Sequence, residues 1–242
     1  MEVCQSVRLR QRLESLARAG VLQLPRLRPT GVSFPGAATG DPASREAGAD
    51  HDRRRGLELL QAEVAACTAC QELTATRTQT VFGAGSPAAR LVFLGEAPGA
   101  DEDASGQPFV GAAGQLLTKI IEACTLRREE VYILNVLKCR PPGNRTPQSD
   151  EVGNCRKFFE RQLEIIRPEF ICCLGTTAAQ ALLQTGESIG KLRGRWFTHA
   201  DAMVICTYHP SYLLRTPAAK RDVWDDMKRL MDRMGVALEP GR

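Results

Sequence analysis

Long hydrophobic runs are missing from this chain. None of its 242 residues belongs to a stretch approaching the roughly 18–20 consecutive apolar residues of a membrane span, so no membrane role is expected. The first residues, MEVCQSVRLRQRLES, lack the apolar segment of a secretory signal, which points to a reducing, cytoplasmic setting. Histidine is scarce, with three residues, so the position of each one counts. Strong charge imbalance is absent too. The 32 basic and 28 acidic residues leave a net +4, which admits a polyanionic partner but falls short of a nucleic-acid footprint. No internal repeat is visible.

Cysteine, by contrast, is plentiful. Nine cysteines without a secretory signal argue against a disulfide scaffold and for reduced thiols, some of them metal ligands. Cys67 and Cys70 form a C-x₂-C pair, and Cys139 and Cys155 bracket a stretch rich in Pro and Arg. Four thiolates from two distant segments suit an iron–sulfur cluster or a structural zinc, and the ligand set alone does not choose between them. The plainer alternative is four buried free thiols, because Cys packs as a small hydrophobe. Cys172, Cys173 and Cys206 fit that alternative, since they fall inside predicted strands. Cys124 closes a predicted helix and reads as core, and Cys4 is uninformative.

Leu9, Leu13 and Leu16 share one helical face, which predicts a short helix over 5–19. Residues 25–49 are rich in Gly, Pro, Ala and Ser and read as a flexible linker. The expected organisation is an N-terminal extension over 1–55 and one domain over 56–236. Within that domain LELLQAEVAAC predicts a helix running into the first cysteine pair. Four short apolar runs follow, at 91–95, 131–137, 170–175 and 203–208, with helix-like stretches between some of them. This alternation predicts an α/β fold, a central four-stranded parallel sheet flanked by helices.

In such a sheet ligands bind outside the carboxyl ends of the strands. The first run ends in Gly95-Glu96-Ala97-Pro98-Gly99, the second carries Asn135 and then Lys138, the third ends in Gly175-Thr176-Thr177, and the fourth in His209-Pro210-Ser211. An acid, an amide and an imidazole therefore converge on one sheet edge, the expected makeup of an active site. Each has a plainer reading. Asp101, Glu102 and Asp103 fit an acidic helix N-terminus, where carboxylates favour the dipole. Phe109 either stacks on a flat ring or anchors its own loop. A lone His is usually structural, although a strand exit is a functional place for one. Leu213 and Leu214 in HPSYLLR either wedge between bases or pack on their own domain. Lys191, Arg193 and Arg195 in KLRGRWF either touch phosphates or form a solvated turn.

Taken together, LVFLGEAPGADEDASGQPFVGAAGQLL, YILNVLKCRPPGNRTP, TYHPSYLLR and the placement of the four cysteines resemble the family-four, iron–sulfur uracil-DNA glycosylases. The resemblance covers residues 57–235 and leaves the N-terminal segment outside. It implies a DNA-repair hydrolase that flips uracil from single- or double-stranded DNA and hydrolyses its glycosidic bond. It implies a [4Fe–4S] cluster on Cys67, Cys70, Cys139 and Cys155. Phe109 would stack on the uracil, Asn135 would read the base edge, and the turn at Gly95–Ala97 would offer backbone N–H groups. His209 would donate to the uracil O2, and Glu96 would stabilise the cationic sugar or orient water. Leu213, or alternatively Leu214, would fill the gap in the duplex, with Arg215 and Lys138 on phosphates. The implied protein is a nucleoid-associated monomer.

A related subgroup traps the abasic product covalently through a His in an inserted loop. That loop would fall between Cys139 and Cys155, where this chain has no His, so ordinary turnover is expected. Two readings compete: an iron–sulfur nucleic-acid-binding protein without glycosylase activity, and a zinc-stabilised α/β hydrolase acting on nucleotides. The joint presence of Glu96, Asn135 and His209 favours the glycosylase over the binder.

Overall fold

The computed structural model describes residues 42–238. The helix expected over 5–19 and the linker as far as residue 41 lie outside them. Helix α1 (Pro42–Ala65) begins inside the stretch whose composition reads as linker and runs unbroken towards Cys67. Its residues Leu57, Leu60 and Val64 recur at helical spacing and are buried in the core. A short helix α2 (Gln71–Thr76) follows the first cysteine pair.

Among the described residues the sheet has six strands, not four, in the order β1-β3-β2-β4-β6-β5. The four apolar runs form β2 (Leu91–Gly95), β3 (Tyr132–Asn135), β4 (Phe170–Leu174) and β6 (Ala202–Thr207), all parallel. The unexpected strands close the two edges, antiparallel: β1 (Ala84–Gly85) against β3, and β5 (Trp196–His199) against β6. Both escape sequence patterning for physical reasons. Two residues carry no periodicity, and WFTH is only half covered, so it shows neither an apolar run nor clean alternation.

Side chains alternate across the central strands, as period two requires. Val92, Leu94, Leu134, Ile171, Cys173, Val204 and Cys206 face one core, where α1 meets α5 (Ser149–Ile166), α6 (Thr176–Leu183) and the short α7 (Ile189–Leu192). Leu91, Phe93, Ile133, Cys172, Leu174 and Ile205 face the other. There α4 (Ala112–Ala123), α8 (Pro210–Arg215) and α9 (Lys220–Met234) cover the sheet. With both faces buried, the parallel strands need no polar side, which is why they read as continuous apolar runs. Cys124, Cys172, Cys173 and Cys206 are buried core residues, as expected. Among the described residues no helix is long and apolar enough to cross a membrane.

Candidate active site

A cleft of about 1000 Å³ opens at the carboxyl edge of the sheet. Glu96, Ala97, Phe109, Asn135, Thr177 and His209 are among its lining residues, so the strand exits do converge. The β2 and β3 exits are stitched together past the strands proper: Val136 N–H donates to Gly95 O at 2.9 Å and Leu137 N–H to Glu96 O at 3.0 Å. Gly95 is where side chains crowd. A Cβ on it would lie 2.3 Å from Oδ1 of Asn135 and 2.5 Å from Cζ of Phe109. Asn135 is buried, and its Oδ1 has no hydrogen-bond partner among the described residues. A buried amide oxygen left unpaired is costly, and a ligand bearing an N–H would relieve it.

Phe109 is held in an unusual backbone state, with φ of 53°. Two features impose it. The carboxylate of Glu102, in α3 (Ala100–Ser105), accepts from the N–H groups of Gly99, Val110 and Gly111 at 2.9–3.0 Å, clamping the loop on both sides of the ring. Gly114 lies so close that a Cβ there would be 1.9 Å from the Phe109 carbonyl carbon. Glu102 therefore builds the loop, while Asp103 ties α3 to the segment after α2 by accepting from Thr78 N–H at 3.0 Å. The Phe109 ring faces His209, with centroids 5.5 Å apart and planes tilted by 35°.

His209 caps α8. Its Nδ1 accepts from the Ser211 backbone N–H at 3.1 Å and contacts the Ser211 hydroxyl at 2.8 Å. An amide can only donate, so Nδ1 carries no proton and the neutral ring bears its proton on Nε2. Burial pushes the His209 pKa down to about 4; the nearby Arg215 charge adds to this and Glu102 opposes it. At neutral pH the residue is a neutral donor. Glu96 accepts from the Thr177 hydroxyl at 2.5 Å, a partner that sequence reasoning left without a role.

Two expected DNA contacts are corrected. Lys138 is fully buried; its Nζ donates to Asn135 O at 2.8 Å and Phe82 O at 3.2 Å, so it is not available to a phosphate. Burial pushes its pKa down to about 7, against the pull of Cys155 and Cys139. Leu213 is 1% exposed and packs in the core, because α8 turns that face onto the sheet. Leu214 is 48% exposed and Arg215 is exposed at the cleft rim. In KLRGRWF, Arg193 is occupied by Asp226 at 3.1 Å and Arg195 by Glu187 at 3.5 Å, which favours the turn reading.

The four cysteines are neighbours. Cys139 lies within electrostatic reach of Cys67 and Cys70, and Cys155 within reach of Cys139 and Cys70. Burial raises the thiols of Cys139 and Cys155, the latter to about 11, while Arg77 and Lys138 favour their thiolates. Among the described residues no three His, Cys, Asp or Glu side chains are placed to hold a single ion. Bracing that sequence reasoning missed surrounds the thiols. Arg77 donates to Cys139 Sγ and to Cys67 O, both at 2.9 Å. Arg145 joins Glu72, beside Cys70, to Glu151 at the start of α5, each at 2.7 Å.

A family model described as the Uracil DNA glycosylase superfamily matches residues 82–228. A type-4 uracil-DNA glycosylase of Archaeoglobus fulgidus is 43% identical, covering 74% of this chain and 94% of the relative. One from Thermotoga maritima is 44% identical, covering 74% and 95%. A type-5 uracil-DNA glycosylase of Pyrobaculum aerophilum is 32% identical over 52% of this chain and 62% of the relative. The matched span holds every strand exit that lines the cleft, and by that span and those identities the chain belongs to the uracil-DNA glycosylase superfamily, in its type-4 group.

Proposed function

We propose that this chain excises uracil from DNA, hydrolysing the N-glycosidic bond of a flipped-out nucleotide and leaving an abasic site. The observation that carries the reading is the Asn135 Oδ1, unpaired among the described residues and buried beside Gly95, which the Phe109 ring also approaches. Uracil presents an N3–H to such an acceptor, whereas cytosine presents a bare N3. Phe109 offers a face for the pyrimidine to lie against. His209, neutral with its proton on Nε2, donates to the O2 that gains negative charge as the bond breaks, an oxyanion-type stabilisation. Glu96 stands at the sugar side, stabilising positive charge or orienting the attacking water. Arg215 meets backbone phosphate, and Leu214 is the exposed residue suited to fill the vacated stack. The loop between Cys139 and Cys155 lacks the His of the covalently trapping subgroup, so the reading includes ordinary turnover.

Cys67, Cys70, Cys139 and Cys155 fit a [4Fe–4S] cluster by their donor chemistry and their gathering beside two cations. Each thiolate of such a cluster takes its own iron, so the sulfurs need not converge on one point. When bound, the cluster would cross-link the segment after α1 to the β3 exit and to α5. Binding must expel the protons that burial favours on Cys139 and Cys155.

The test is uracil release from a labelled oligonucleotide by wild type and His209→Ala, with the visible spectrum of anaerobically purified protein. The expectation is release by wild type, a fall of roughly 10²–10³-fold in the variant, and a broad visible band. Equal activity in the two would remove His209 from the mechanism. A colourless, zinc-containing sample would overturn the cluster.

A further inference from the structure

We propose that Thr177 is a positioning residue for the glycosidic step, holding Glu96 in its working orientation; the inference rests on the assignment of Glu96 to the sugar side. Thr177 sits in the first turn of α6 and lines the cleft. Its hydroxyl donates to Oε2 of Glu96 across 81 residues of sequence, at a distance within the roughly 2.5–2.7 Å of hydroxyl-to-carboxylate bonds. A hydroxyl has one proton to give, so the bond engages one carboxylate oxygen and leaves Oε1 for sugar or water. Threonine suits the task because its branched side chain is restricted in a helix to two main χ1 rotamers. A carboxylate at the end of a rotatable stem is thereby fixed by a neutral donor.

The same helix start also supports the imidazole. Gly175, with φ of +90°, turns β4 into α6, and its N–H donates to Thr207 O at 2.8 Å, just before the His209 loop. A Cβ on Gly175 would approach His209 Cβ to 3.0 Å. The β4 exit, which supplies no reacting group of its own, thus sets the position of both Glu96 and His209.

The experiment compares kcat and KM for uracil release among wild type, Thr177→Val, Thr177→Ser, Glu96→Ala and the Thr177→Val/Glu96→Ala pair, with thermal melts of each. Thr177→Val keeps shape but loses the donor. It is expected to lower kcat about tenfold with little change in KM, while Thr177→Ser recovers to within a few-fold. In the Glu96→Ala background the Val substitution should add nothing, because its effect runs through that carboxylate. Wild-type kcat in Thr177→Val, or an equal further loss in the Glu96→Ala background, overturns the proposal while leaving Glu96 in place. Wild-type kcat in Glu96→Ala overturns it together with the assignment on which it rests.

Discussion

Gly95 makes room for Asn135: a Cβ at position 95 would lie 2.3 Å from the Asn135 Oδ1 and 2.5 Å from the Phe109 ring. The absent side chain lets an amide from β3 and a ring from the α3–α4 loop share one floor. Gly95→Ala is therefore expected to displace both groups. A displacement near 1 Å is enough for a loss of about 10²-fold in kcat/KM, against an overpacking cost of about 1–3 kcal/mol. Uracil release assayed beside a thermal melt separates the two. Wild-type kcat/KM in a folded Gly95→Ala protein would refute the close fit.

His209 should titrate far below an ordinary histidine. Its usual value of 6.5 falls to about 4 in the fold. Between those values the unfolded chain binds a proton that the folded one refuses. The stability that comes from keeping the ring neutral is thus complete above pH 6.5 and is lost as the pH falls towards 4, by at most about 3 kcal/mol. NMR titration of the imidazole, with denaturant melts at pH 7 and pH 5, checks both statements. An imidazole midpoint near 6.5 would contradict them.

The two leucines of HPSYLLR should separate cleanly. Leu213 is 1% exposed and Leu214 is 48% exposed. Leu213→Ala is expected to cost about 2–4 kcal/mol of stability through the cavity it leaves. Leu214→Ala should leave the melt unchanged and slow uracil release from duplex more than from single strands, where no stack needs filling. Equal effects on the two substrates would remove Leu214 as the wedge.

Salt dependence distinguishes Arg215 from Lys138. A phosphate contact adds close to one to the slope of log affinity against log salt. Arg215→Ala should reduce that slope by about one. Lys138→Met should leave it unchanged while lowering stability, because two buried carbonyls lose their shared donor. DNA-binding titrations at several salt concentrations give both slopes. A reduced slope in Lys138→Met would return it to the interface.

Much of the site is legible in the sequence, and what is legible is local. Glu96 and His209 each follow an apolar run and Asn135 lies near the end of one, and in a parallel sheet such ends share an edge, so their meeting follows from pattern alone. The role of Glu102 was ambiguous because its three partners lie up to nine residues away along a loop whose path no periodicity sets. Thr177 carried no signal, since a threonine after a strand-end glycine is also ordinary helix-start chemistry.

The alternation of apolar runs with helices, the order of polar groups at strand ends and the split cysteine set are determined by the sequence itself, because periodicity and spacing are one-dimensional quantities. Burial is not. Lys138 reads as a phosphate contact and Leu213 as either a wedge or a packed leucine, and tertiary packing puts both inside: Lys138 turns its amine onto the carbonyls of Phe82 and Asn135, and α8 turns one leucine onto the sheet and leaves the next in solvent. Only the folded chain decides which side of an irregular segment meets water. For this protein, that choice separates Leu214 and Arg215, exposed and proposed to meet DNA, from the buried Lys138 and Leu213.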